Sequence, residues 1–135
     1  MAEKNPDLIY LAGPYSHPKR EVREDRFFRL NVIAAWLMER GFHVFSPISH
    51  THPIAIINHL PSEFKFWEQY DLLMLQHCTK LAVAQIPGWD QSEGVRREIE
   101  LAAQIGIERI DIPPLQIHQI FKEHAWRTEI GNHTY

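Results

Sequence analysis

Leu8-Ile9-Tyr10-Leu11-Ala12 is a short unbroken apolar run that stops at Gly13-Pro14. That is the pattern of a strand buried on both faces of a parallel sheet. Over residues 20–40 the spacing turns helical, with Phe27, Leu30, Ala34 and Leu37 on one stripe and Gly41 as a stop. Glu21, Glu24 and Asp25 fall in the first turns, where the helix dipole favours acids. His43-Val44-Phe45 predicts a second strand, closed by Ser46-Pro47, and residues 49–53 predict a loop. A helix is expected over 62–77 with Phe66, Tyr70, Leu73 and Met74 as its apolar stripe, followed by a third strand over 80–86 that ends at Pro87-Gly88. Residues 94–104 predict a helix capped by Gly106, residues 108–112 a fourth strand ended by Pro113-Pro114, and residues 115–124 a last helix. The tail from Trp126 to Tyr135 is expected to be irregular.

Strands alternating with helices imply a single-domain α/β fold. The expected architecture is a three-layer sandwich with a central parallel sheet of about four to five strands, of the flavodoxin or Rossmann-like kind. In such sheets ligands bind at the carboxyl ends of the strands. That points to three loops, at residues 13–19, 46–52 and 87–94.

Composition narrows the classes. A chain of 135 residues forms one domain with a real core, without disulfide or metal staples. A net charge of −3 gives no electrostatic reason to expect a nucleic-acid polymer, and no apolar run reaches membrane-spanning length. The only cysteine, Cys78, cannot form an intrachain disulfide, and the polar start holds no apolar signal core. The cytoplasm is the expected location.

One carboxylate stands out. At about 100° per residue, Val95, Ile99, Leu101, Ala102 and Ile105 share a broad helix face, and Glu98 falls inside it. Helical side chains lean toward the N-terminus, so Glu98 is aimed at the carboxyl end of the third strand. Burying a carboxylate costs several kcal/mol unless it is paired. It is therefore either a structural ion pair or a functional acid in a cleft. Ser92 reads as the N-cap of the same helix and equally as a phosphate donor, and these roles are compatible. Gly94 would let a ligand approach the backbone closely. Asp71, on the helix before the third strand, is open to a solvated role or a site role. Tyr10 is open to a core role or to orienting a carboxylate.

Taken together these residues resemble the nucleoside 2-deoxyribosyltransferase-like superfamily. The resemblance lies in Ile9-Tyr10-Leu11-Ala12-Gly13, Gln69-Tyr70-Asp71-Leu72-Leu73 and Ser92-Glu93-Gly94-Val95-Arg96-Arg97-Glu98. It is closest to a bacterial and phage branch with three motifs: Tyr-Leu-Ala-x-Pro-Tyr-Ser-His-Pro, Phe-Ser-Pro-Ile-x-His-x-His-Pro-Ile and Pro-Gly-Trp-x-x-Ser-x-Gly-Val-x-x-Glu. These start here at Tyr10, Phe45 and Pro87. The resemblance implies N-glycosidic bond cleavage without a cofactor or metal. Glu98 would be the nucleophile that forms a glycosyl-enzyme, Asp71 would protonate or position the departing base, and Tyr10 would hold Glu98 in line. It also implies a homodimer or larger homo-oligomer in which neighbours complete each other's sites.

Within that superfamily, enzymes acting on free nucleosides carry an acid six residues before the nucleophile, and 5′-monophosphate hydrolases carry serine. This chain has Ser92. Ser16 matches a second phosphate donor, with Gly13 and His17 in the same loop, and Arg20 or Arg23 could add a cation. Trp89 and Trp67 are candidates for stacking on the base. The expected ligand is a small nucleoside or nucleotide, and the expected activity a nucleoside 5′-monophosphate N-glycosidase. Alternatives are a deoxyribosyltransferase or a non-catalytic nucleotide sensor. Arg96-Arg97 departs from the small or apolar residues of relatives. A further rival is a metal-dependent hydrolase built on His50, His52 and His17, although no additional ligand motif stands at metal-site spacing.

Overall fold

The computed structural model describes residues 6–134. Four parallel strands, β1 (Leu8–Ala12), β2 (His43–Phe45), β3 (Lys80–Ala84) and β4 (Glu108–Ile112), form one sheet in the order β2-β1-β3-β4. Five helices cover it: α1 (Arg20–Glu39), α2 (Pro47–Asn58), α3 (Phe64–Gln76), α4 (Glu93–Ile105) and α5 (Pro114–Thr134). The single-domain α/β sandwich with a parallel sheet is as expected from the alternating pattern, with four strands. Among the described residues no helix is long and apolar enough to cross a membrane.

Side-chain alternation along the strands separates two cores. Ile9 and Leu11 of β1 pack with Leu30, Ile33 and Leu37 of α1 and with Ile117 and Ile120 of α5. Tyr10 and Ala12 face the other way, onto Leu75 of α3 and Val95 and Ala102 of α4. β1 and β3 are neighbours, but the chain leaves β1 toward β2 and leaves β3 toward β4. The loops after β1 and β3 therefore diverge, opening a crevice at the carboxyl ends of these two strands.

Several elements differ from the expectations. Residues 49–53 are not a loop but the middle of α2. Pro47 sits at its first helical turn, where a missing N–H costs nothing, and Pro53 is tolerated inside it. The helix ends at His59, which takes a left-handed backbone with φ 55°. β3 stops at Ala84, two residues early, although Ile86 remains fully buried. The tail is helical rather than irregular through Thr134, as a continuation of α5; Tyr135 lies outside the described residues. On α3 three of the four residues of the expected stripe point outward: Phe66 and Leu73 are about half exposed and Tyr70 is exposed as well, whereas Met74 packs partly buried against the core and Asp71 and Leu75 face inward. The helix is rotated so that an acid, not the apolar stripe, meets the crevice.

Candidate active site

A cavity of about 440 Å³ opens at this crevice. The β1–α1 loop supplies Gly13, Ser16 and His17, α2 supplies Pro47, Ile48 and Thr51, and the start of α3 supplies Phe64, Trp67 and Asp71. Ser92, Gly94 and Glu98 close it from α4. Thus Asp71, Glu98 and most of the residues singled out from sequence line one space. Tyr10 lies directly behind it.

Tyr10 is 0% exposed, Glu98 4% and Asp71 9%. The Tyr10 hydroxyl donates to Glu98 Oε2. Strand alternation makes this bond possible, because Tyr10 lies on the α4 side of the sheet, where Glu98 occupies the buried face of its helix. Burial pushes the Glu98 carboxyl up to about 8, with the charge of Asp71 adding to the effect and the Tyr10 hydrogen bond opposing it. Burial alone pushes Asp71 up to about 7. Tyr10 is raised well above its ordinary value, first by burial and then by the charge of Glu98, so it stays a hydrogen-bond donor. The two carboxyls repel each other's charge and titrate as a pair. Near neutrality the pair keeps a proton. The Tyr10 hydroxyl stabilises the ionised form of Glu98, while Asp71 Oδ1 is buried with no hydrogen-bond partner among the described residues. One carboxylate and one carboxylic acid side by side are the equipment for nucleophilic attack with acid assistance.

Ser92 is the N-cap of α4: its Oγ accepts from the Val95 N–H at 3.2 Å, which leaves its own proton free to donate into the cavity. Ser16 Oγ donates to the Ser62 carbonyl at 2.9 Å and is exposed at the mouth. His17 Nδ1 accepts from the Lys19 N–H at 3.0 Å, which fixes its ring beside the cavity. Gly13 and Gly94 both line the cavity, and each also makes room for a neighbouring side chain. A Cβ at Gly94 would stand 2.8 Å from the Phe64 ring, and one at Gly13 would stand 2.4 Å from Leu30. Both admit neighbouring side chains, so the walls of the cavity can close.

Trp89 is not brought to the cavity. It packs half-buried against the Tyr10 core and lines a shallow depression on the far side of the α4 N-terminus, with Arg96 and Ile99. Trp67 is in the cavity, its Nε1 donating to the Pro61 carbonyl at 2.8 Å. Arg96 and Arg97 face away and pair with Glu100 and Glu68, so their departure from the resemblance leaves the cavity wall untouched. Arg20 is spent on an exposed pair with Glu24, and Arg23 donates to the His17 carbonyl. The lysine and arginine that line the cavity are the exposed Lys65 and the half-buried Arg26; Arg26 is not among the residues expected from sequence. Its signal was available: Arg26 precedes Leu30, Ile33 and Leu37 on the buried stripe of α1, an anomaly of the same kind as Glu98.

The histidine pair lies on a helix. His52 is buried, with Nδ1 2.5 Å from the Tyr15 hydroxyl and its ring against Phe27, while His50 is exposed and stacks on Tyr70. Burial lowers the His52 pKa. The two rings are engaged in different directions, and no group of three or more His, Cys, Asp or Glu among the described residues is placed to hold a metal ion.

The sequence profile of one family, described as Domain of unknown function (DUF1937), matches residues 7–110. The chain belongs to this family. The DUF1937 span takes in every residue that lines the cavity and stops inside β4, leaving α5 outside. No curated protein matches the chain.

Proposed function

We propose that the protein cleaves the N-glycosidic bond of a nucleoside 5′-monophosphate through a covalent glycosyl–Glu98 intermediate. The observation that carries this is the buried Tyr10–Glu98 hydrogen bond with Asp71 in the same cavity. The Glu98 carboxylate attacks the anomeric carbon. The bond to the base nitrogen breaks, its electron pair goes to the base, and the Asp71 proton follows it. Ionised Asp71 then takes a proton from water as that water attacks the same carbon and releases Glu98. Both steps need a carboxylate and a carboxylic acid together, and burial keeps a proton on this pair near neutrality. No cofactor enters these steps.

A sensor needs no such pair. Two buried carboxyls held at raised pKa values weaken the fold, a cost that turnover explains and simple binding does not. The 5′-phosphate follows from Ser92 at the N-terminus of α4, where a free hydroxyl proton and unpaired N–H groups favour an anion. Phe66, Tyr70 and Leu73 on α3 and Ile54 and Ile57 on α2 are exposed apolar side chains that a second copy of the chain would cover. One buried cysteine and no membrane-length helix among the described residues fit a cytoplasmic enzyme. The test is a screen of nucleosides and 5′-monophosphates for free-base release. Release from a monophosphate in preference to its nucleoside is expected. Base transfer to a second base without hydrolysis assigns the protein to the transferases, and no release from any compound overturns the proposal.

A further inference from the structure

Four arginines run along α1 at three-residue spacing: Arg20, Arg23, Arg26 and Arg29. The outer two are paired one turn away, Arg20 with Glu24 at 2.9 Å and Arg29 with Asp25 at 2.7 Å. Arg26 pairs with no carboxylate among the described residues. Its Nη1 donates to the Ser16 carbonyl at 2.8 Å and, more weakly, to the Tyr15 carbonyl at 3.4 Å. Its Nη2 lies against Gly88, 2.4 Å from where a Cβ would stand, at a backbone with φ +96°. Arg26 thus spans the two diverging loops at the carboxyl ends of β1 and β3, and glycine at position 88 leaves the space its guanidinium fills.

A half-buried guanidinium without a counter-ion, on the wall of a cavity, is an incomplete ion pair. Burial lowers its pKa, so an anion delivered there removes a standing electrostatic cost. Ser92 lines the same cavity with its hydroxyl proton free. The acids Glu63 and Glu93 also line it, but both are solvent-exposed at the rim, where water screens their charge. Glu98 and Asp71 hold the buried end.

We propose that Arg26 is the residue that selects a phosphorylated substrate, its guanidinium binding the 5′-phosphate between the loops after β1 and β3 together with Ser92. This rests on the N-glycosidase reading for the identity of the substrate, but the anion subsite stands on its own geometry. Nη1 keeps the loop after β1 in place, while Nη2 and Nε make no hydrogen bond among the described residues and are left for the ligand, so one side chain both shapes the subsite and fills it.

Ribose 5-phosphate and ribose are the probes, because neither requires turnover. Calorimetric titration of the wild-type protein should show ribose 5-phosphate binding and ribose not. Arg26→Gln should weaken ribose 5-phosphate binding by about 10- to 100-fold, as expected for lost charge-assisted hydrogen bonds to an anion. Arg26→Lys, which keeps the charge and loses the fork, should fall between the two. It also serves as the test if Arg26→Gln does not fold. In the base-release screen, Arg26→Lys should lower kcat/KM for the monophosphate by a larger factor than for the matched nucleoside. Wild-type protein that binds both sugars equally, or variants that keep full ribose 5-phosphate affinity, overturn the assignment of Arg26. If ribose 5-phosphate binds through Arg26 and no base is released from any nucleotide, the anion subsite stands and the N-glycosidase reading fails. If base is released with the same monophosphate preference in Arg26→Lys, the N-glycosidase reading stands and the role of Arg26 fails.

Discussion

Glu98→Gln should make the protein less sensitive to alkali while removing its activity. Burial lifts the Glu98 carboxyl to about 8, so the Glu98–Asp71 pair keeps a proton up to about pH 8, whereas in the unfolded chain Glu98 releases its proton near its ordinary value of 4.5. Between those values the folded state binds more protons than the unfolded state, so stability falls as pH rises through this window. Each unit of pKa difference corresponds to about 1.4 kcal/mol. Between about pH 5 and pH 8, Glu98 should therefore account for about 3 kcal/mol of lost stability, a large share of a small domain's total. Asp71, raised to about 7, adds its own loss, which the variant retains. Glutamine still accepts the Tyr10 hydrogen bond. Its buried amide N–H groups cost up to about 2 kcal/mol, but that cost does not vary with pH. Urea unfolding at both pH values, for wild type and variant, gives four free energies. The wild type should lose about 3 kcal/mol more than the variant on going from the acidic to the neutral–alkaline condition. Equal pH dependence in the two proteins would mean that burial does not raise the Glu98 carboxyl, and the account of the carboxyl pair would fail with it.

Asp71→Asn should abolish the fall in kcat/KM as pH rises through about 7, since that limb reports loss of the acid's proton, and should spare substrates whose leaving group needs no proton. A pH–rate profile with an unchanged alkaline limb would remove Asp71 as the acid. Ser92→Asp should lower kcat/KM for a 5′-monophosphate by about 10- to 100-fold and leave the matched nucleoside much less affected, because an acid at the α4 N-terminus repels the phosphate. Equal losses on both would place Ser92 in the cap alone. Leu73→Glu, which puts a charge into the outward apolar face of α3, should convert an oligomer to monomer by light scattering, and a wild-type chain already monomeric at micromolar concentration would leave that face without a role in self-association.

The parallel sheet covered on both faces was legible because β1 and β3 read as largely apolar runs whose ends carry Gly and Pro. Glu98 was legible because a carboxylate on an apolar helix face breaks the pattern that builds the helix. Arg26 breaks the α1 pattern in the same way but lies among alternating charges, and the stripe through Phe27 and Leu30 hid it. The helix over Pro47–Asn58 was hidden by two prolines and two histidines, residues that usually punctuate loops; here one proline sits where the helix has no N–H to lose. The outward stripe of α3 was misjudged because periodicity reports that a helix has an apolar face, not which neighbour that face meets. Trp89 stands inside the motif that starts at Pro87, in a loop at the carboxyl end of β3, yet the 3-10 turn at Trp89–Gln91 carries its ring behind α4. What brings Tyr10, Asp71 and Glu98 together is tertiary: three elements distant in sequence meet only once the strand order is set.

The most direct test of the central claim is to look for the sugar on Glu98. Protein mixed with a base-releasing 5′-monophosphate should be quenched in acid during the first turnovers and its peptides mapped by mass spectrometry. A peptide containing Glu98 should carry the mass of the sugar phosphate, at a level matching the initial burst of free base, and Glu98→Gln should show neither adduct nor burst. Sustained base release with no adduct at any time, or an adduct on another residue, would contradict a glycosyl–Glu98 intermediate.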